Sequence, residues 1–300
     1  MEQRLERKLR LIRDVVYSSL IKNYTPFPLD RKLAARWAEP LKVPRGGRTL
    51  IYTSYMYQMA SVFKTYSKYA DTLGSLASSQ LLASLGARFV KPSEEDLERS
   101  TRILQNIYRI VHRDSADLGY LYEEEPYSGA LLHELGFLDE FYEYGEKLRA
   151  YLRSKGVEML VTVDPHTTNA LNALRREAGF DIPFKPYLAY LKGVRGAGEF
   201  VLHDSCLYSR FLDMYDAVRS TLNEAGIKLV ENPRITARAS GFCCGAPIAP
   251  LSEELSEKIA EERSRTLLRV APNTLVVCPL CYANLSKHCA VKDIAEVITR

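Results

Sequence analysis

The chain has 300 residues, 46% of them hydrophobic and 26% charged, and carries a formal net charge of +4 at pH 7. A chain of that size buries its core without disulfide staples and describes one large or two modest globular domains. The charge lies in mixed-sign runs such as KPSEEDLERSTR, which argues against nucleic acid as a ligand; the first 20 residues lack a secretory-leader pattern and no uncharged apolar run is long enough to span a membrane, so an intracellular, cytoplasmic protein is expected.

The chain opens on Leu5, Leu9, Ile12, Val16 and Leu20, spaced by three and four, which predicts one amphipathic helix that packs on the body or docks a partner. Prolines at 26, 28, 40 and 44 with Gly46 and Gly47 then make an irregular connector. Strands and helices follow in alternation. TLIYTS reads as a strand, the next stretch as a long helix to about residue 85, residues 94 to 112 as another helix, and MLVTV at 159 to 163 as a buried strand. After a linker, GVRGAG at 193 to 198, the order recurs: EFVLHDS, a helix over roughly 207 to 225, IKLVE, a helix over 252 to 270, TLVV and a final helix. Short apolar strands separated by helices predict an α/β fold with mainly parallel sheets.

The recurrence extends to residues, as an internal repeat requires. IYTSYMY at 51 to 57 aligns with LHDSCLY at 202 to 208, PYSGALLHELG at 126 to 136 with FCCGAPIAPLS at 242 to 252, and LVTVDPHT at 160 to 167 with TLVVCPLC at 274 to 281. These alignments pair Tyr55 with Cys206, Tyr127 and Ser128 with Cys243 and Cys244, and Asp164 and Thr167 with Cys278 and Cys281. The expected organisation is an N-terminal helix and connector (1–47), a repeat without cysteines (48–192) and a cysteine-rich repeat (198–300).

All six cysteines lie after residue 205. In a reducing compartment, clustered thiols bind metal or do redox chemistry more often than they form structural disulfides. Between Cys206 and Cys243 stand 36 residues, and between Cys244 and Cys278 stand 33, the last pair being Cys278-Pro279-Leu280-Cys281. Zinc in a structural or interaction protein would use four thiolates and leave a fifth over. Adjacent side chains diverge, so Cys243 and Cys244 reach one ion together with difficulty but suit two irons of one cluster. A redox disulfide leaves the placement of all five thiols unexplained. Cys206 and Cys278 each follow a predicted strand, where α/β proteins bind ligands, and Pro279 suits a first helical turn. Gly245 either brings backbone close to a bound group or makes the turn.

HDSCLYSR, GFCCGAP and CPLCYANL, in this order and spacing, resemble the cysteine-rich CCG domain found in the B-type component of heterodisulfide reductase and its relatives. Those relatives include iron–sulfur subunits associated with glycerol-3-phosphate, glycolate, lactate and succinate oxidation. In the heterodisulfide reductase component each such motif holds a non-cubane [4Fe-4S] cluster. The resemblance therefore implies two pseudo-repeated CCG-type α/β layers and one cluster held by Cys206, Cys243, Cys244, Cys278 and Cys281. It implies a thiol or disulfide redox subunit or, alternatively, the iron–sulfur subunit of a flavin-dependent dehydrogenase. A ferredoxin-like or flavin-containing partner is implied, with membrane association only through a partner. The first repeat has lost every thiol, which removes the family's second cluster.

Outside the motif, Cys289 is read as a core thiol rather than a spare ligand. His133, His166, Asp164 and Tyr55 are read as a solvated or packed remnant rather than a zinc or proton-donating site. His203 and Asp204 are expected either to orient the first ligand or to cap a loop.

Overall fold

A computed structural model of the chain describes residues 2–62, 92–236, 238 and 241–299. The helix expected up to about residue 85 lies largely outside these; within them, residues 56 to 62 are helical.

Two four-stranded parallel sheets carry the fold. The first joins β1 (Thr49–Tyr52), β2 (Leu118–Gly119), β3 (Met159–Thr162) and β4 (Phe184–Pro186) in the order β2-β1-β3-β4. A short β5 (Arg195–Gly196) follows, and the second sheet joins β6 (Glu199–Leu202), β7 (Lys228–Leu229), β8 (Asn273–Val276) and β9 (Ala290–Asp293) in the order β7-β6-β8-β9. The strand orders are the same once each sheet is read from its own first strand, so the repeat expected from sequence is a repeat in space. Register agrees as well: Leu50 and Ile51 pair with Leu160 and Val161, while Val201 and Leu202 pair with Thr274 and Leu275.

Successive strand residues point to opposite faces, and this sorts the interior into two apolar layers. Leu50, Leu160, Val201 and Val276 belong to one layer and Ile51, Val161, Leu202 and Leu275 to the other, so each layer runs through both sheets.

Helix α1 (Glu2–Asn23) buries Ile12, Val16 and Leu20, leaves Leu5 exposed, and packs against the short α3 (Ala130–Glu134) and α4 (Leu138–Ser154). The N-terminal stripe is therefore spent within the chain and is no free docking face. Helix α2 (Glu94–His112) begins where the sequence predicts. The Ser93 side chain accepts from Asp96 N, acidic Glu94, Glu95 and Asp96 complement the helix dipole, and Leu97, Leu104, Ile107 and Val111 form its buried stripe.

Three expectations are corrected. The helix expected over 207 to 225 is a π-turn (Leu207–Phe211) followed by α6 (Tyr215–Glu224), and Asp213 between them has φ of +51°, a left-handed value no helix accommodates. The linker is tied down, because β5 pairs antiparallel with β10 (Ile298–Thr299). Beyond the final predicted helix the chain adds β9, which completes the second sheet.

Candidate metal centre

Each cysteine sits where a strand has just ended or a helix is about to start. Cys206 follows β6 and opens the π-turn. Cys278 is the N-cap of α8 (Pro279–Leu285), with φ and ψ of −145° and 127°, and Pro279 occupies the first turn, where a missing N–H costs nothing. Cys243 and Cys244 precede the short 3₁₀ turn Ala246–Ile248 and helix α7 (Glu253–Leu268). Gly245 between them has φ of +86°, and a Cβ there would lie 2.7 Å from Ser256 O and 2.9 Å from Ile259 Cβ. The glycine thus makes the turn and admits α7; the space its side chain would fill belongs to that helix.

These turns bring the five thiols into one chain of sulfur contacts. Cys206 hydrogen-bonds with Cys243, Cys243 with Cys244, Cys244 with Cys281, and Cys281 with Cys278. All are free, so no disulfide competes for them. Cys244, Cys278 and Cys281 are buried, whereas Cys206 and Cys243 are half-buried and mark the side nearest solvent. Cys289 stands apart, with Thr274 Oγ1 at 3.8 Å and Leu285 O at 3.6 Å.

Crowding splits the ionisation of the sulfurs. Hydrogen bonds from Cys206 and then Cys244 hold Cys243 far below the ordinary thiol range, with Gly245 N donating at 3.4 Å. Burial pushes Cys278 up, but its bond with Cys281 and the charge of His166 bring it down to about 5. The bond with Cys243 raises Cys206 and Cys244, and the bond with Cys244 raises Cys281. Five sulfurs this close cannot all ionise without a cation among them, which is the condition a soft metal centre relieves. A ring nitrogen of His203 and the sulfurs of Cys244 and Cys281 lie within 4.8 Å of one another.

His166 opens helix α5 (Pro165–Glu177) in the first repeat, yet its Nε2 lies 3.3 Å from Cys278 Sγ and its Nδ1 2.5 Å from Glu134 Oε1. Burial alone would discharge the imidazole; Glu134 and Cys278 more than reverse that and raise it well above its ordinary value. Reading His166 as a remnant misses this, because the contact joins residues 112 apart in sequence. His133 does not join it and packs on the Phe141 ring, 4.9 Å between centroids.

The aligned positions of the first repeat hold a hydrogen-bond network instead. Tyr55 Oη donates to Glu125 O, and the Glu125 carboxylate accepts from Thr53 N, Thr53 Oγ1 and Tyr120 Oη at 2.6, 2.5 and 3.1 Å. Ser54 Oγ donates to Ser128 Oγ, Leu131 N to Tyr127 Oη, and Tyr144 Oη to Tyr127 O. Asp164 accepts from Thr167 N at 2.9 Å as the N-cap of α5, the place Cys278 takes in α8.

His203 and Asp204 both bond to arginines. Arg263 Nε donates to His203 Nδ1, and Arg219 holds both oxygens of Asp204 at 3.0 and 2.8 Å. A cleft lies between the repeats, with walls such as Met56, Leu131, Pro247 and Leu280 and with Tyr127, Glu134 and His166 as the ionisable groups among its described lining residues.

An α/β fold with a cysteine-rich centre at its strand ends is the class defined so far. The family model described as a cysteine-rich (CCG) domain matches residues 200–286, which hold all five clustered thiols. The chain is 26% identical over 214 residues to a Bacillus subtilis protein named probable iron-sulfur-binding oxidoreductase FadF, covering 67% of this chain and 30% of that one. It is 27% identical to a probable membrane-anchored ferredoxin of Chromohalobacter salexigens and 27% identical to the EtfAB:quinone oxidoreductase of Syntrophomonas wolfei, covering 67% of this chain and 33% and 32% of theirs. The chain thus spans about a third of the length of these curated relatives. No solved structure matches it. No helix among the described residues is long and apolar enough to cross a membrane.

Proposed function

We propose that the chain is an iron–sulfur electron-transfer component in which Cys206, Cys243, Cys244, Cys278 and Cys281 hold one [4Fe-4S] cluster of the non-cubane kind. The observation that carries this is the unbroken series of five free thiols delivered by separate turns to one end of the second sheet. Thiolate is the donor such clusters use, and the residues present fit the group. Bound there, the cluster supplies one-electron transfer. Residues 48–192 then serve as a scaffold repeat behind the N-terminal segment 1–47, and 198–300 as the cluster domain.

Two findings favour electron transfer between proteins over direct reduction of an anionic disulfide. The relatives are named as oxidoreductases and a ferredoxin. The cleft has no lysine or arginine among the described residues that line it, and its one cationic group, His166, is already engaged by Glu134 and Cys278, which leaves little to neutralise a charged thiol substrate. A single cluster passes one electron at a time, whereas disulfide reduction and hydroxy-acid oxidation move two, so a ferredoxin-like or flavin-containing partner completes the reaction.

Metal analysis tests the reading. Anaerobically prepared chain should hold about four irons with a similar amount of acid-labile sulfide, the loading of one [4Fe-4S] cluster. Stoichiometric zinc without sulfide, in protein matured with ample iron, would replace this reading with a zinc-binding structural protein.

A further inference from the structure

Next to the sulfurs lies a buried cation without a carboxylate of its own. Arg263 on α7 is only 3% exposed, and a guanidinium does not give up its proton in a protein. Its Nε donates to His203 Nδ1 at 3.1 Å and its Nη1 to Ile235 O at 2.8 Å, while Nη2 is buried with no hydrogen-bond partner. Among the described residues no carboxylate lies within ion-pair distance of it. The carboxylate that acts on it most, Asp204, has both oxygens taken by Arg219. After Asp204, the groups placed to act on Arg263 are Cys281 and Cys244, which carry negative charge once they bind metal as thiolates. A buried charge is retained only where an opposite charge meets it, and here the sulfur side of the site offers one.

The same arginine fixes its neighbour. Because Arg263 Nε can only donate, His203 Nδ1 must be the nitrogen with the lone pair, and the ring proton sits on Nε2. That Nε2 is buried and also has no partner, in a ring that reaches within 4.8 Å of the Cys244 and Cys281 sulfurs. An N–H held in this tautomer is available to donate to sulfur and has no lone pair with which to bind metal.

We infer that Arg263 and His203 set the reduction potential of the group held at Cys244 and Cys281, the guanidinium as its counter-charge and the His203 Nε2–H as a hydrogen-bond donor to its sulfur. The inference rests on the cluster reading. Net charge and hydrogen bonds to sulfur are the levers that set such potentials, and both groups here stabilise the more negative, reduced state. They therefore hold the potential up.

The test uses the full chain, reconstituted anaerobically with iron and sulfide and titrated electrochemically under EPR detection. Arg263→Met should shift the reduction equilibrium at least about tenfold towards the oxidised form, about 59 mV downward for a one-electron couple. Arg263→Lys should keep most of the wild-type value, His203→Leu should fall, and His203→Gln, which retains an N–H donor, should fall less. Full iron content with an unchanged potential in Arg263→Met or in His203→Leu overturns the inference. Wild-type chain that binds no iron overturns the cluster reading instead, so the two failures are separable. If the variants do not hold iron, pulsed EPR of ¹⁵N-histidine-labelled His166→Gln chain, which removes the other histidine at a cysteine sulfur, decides: weak coupling of hydrogen-bond size is expected, and coupling as strong as a direct iron ligand, or no histidine coupling at all, overturns the proposal.

Discussion

The two sheets share a strand order, and their matching turns share backbone geometry. Gly129 and Gly245 have φ of +82° and +86°, and Asp164 and Cys278 are both extended N-caps followed by proline. They differ in what the turns hold. In the second repeat the turns aim soft thiols at one another, with Gly245 N on Cys243 and His166 on Cys278 as their contacts from outside the group. In the first, the same positions carry hydroxyls and carboxyls that close on nearby backbone and side chains, as with Tyr55 on Glu125 O and Ser54 on Ser128. A backbone of this kind is indifferent to its contents. On the proposed reading, donor chemistry makes one copy a metal centre and the other a scaffold, and the scaffold still contributes His166, which reaches across to Cys278.

Matched substitutions in the two repeats test that contrast. The largest effect is expected at the donors: Cys244→Ser should abolish or strongly reduce bound iron, whereas Ser128→Ala, at the aligned position, should leave iron unchanged by chemical assay. Next come the paired glycines. Gly245→Ala forces a side chain into a left-handed position at a cost of roughly 1–2 kcal/mol before any crowding, and its new Cβ meets the backbone of α7. Gly129→Ala meets only the side chains of Tyr144 and Phe141, from 3.0 Å. Denaturant unfolding should therefore show the greater loss at Gly245, and equal losses would mean the two turns are supported alike.

A smaller effect is expected from the buried carboxyl that stands among the first repeat's hydroxyls. Burial raises Glu125 to about 7, only partly offset by the bonds from Thr53 and Tyr120. Its folded pKa lies above the unfolded one, so the folded state holds the extra proton between about 4.5 and about 7, and its contribution to stability falls as pH rises through that window. Glu125→Gln should flatten that part of the stability profile, measured as unfolding midpoints from pH 5 to 8; an unchanged slope would place the proton elsewhere. The smallest effect is predicted at Cys289→Ser, where iron content should not move. Loss of iron there would redraw the ligand set.

Much of this contrast was legible in the chain itself. Helix α2 was readable to its ends because Ser93, an acidic first turn and a regular apolar stripe all agree. The alignment of TLVVCPLC with LVTVDPHT carries over to identical register. Strands such as β2 and β9 were not readable, since two to four residues, some as polar as AVKD, hold too little pattern to distinguish from loop. The break at Asp213 was hidden because helical propensity outweighed one left-handed residue. At the site, the thiols announce themselves by residue type, but their surroundings do not. Arg263 lies 60 residues from the histidine it orients, on a helix whose sequence reads as an ordinary charged surface. Likewise His166 reads as part of a residual site until the fold sets it against Cys278.

The claim that one repeat holds the metal and the other only frames it is tested most directly by iron K-edge X-ray absorption on the anaerobically loaded chain. The expected spectrum has a first shell of sulfur alone together with iron–iron scattering, as five cysteine ligands and bridging sulfide require. Nitrogen or oxygen in the first shell, from His203, His166 or Asp164, or iron without iron neighbours, would contradict it.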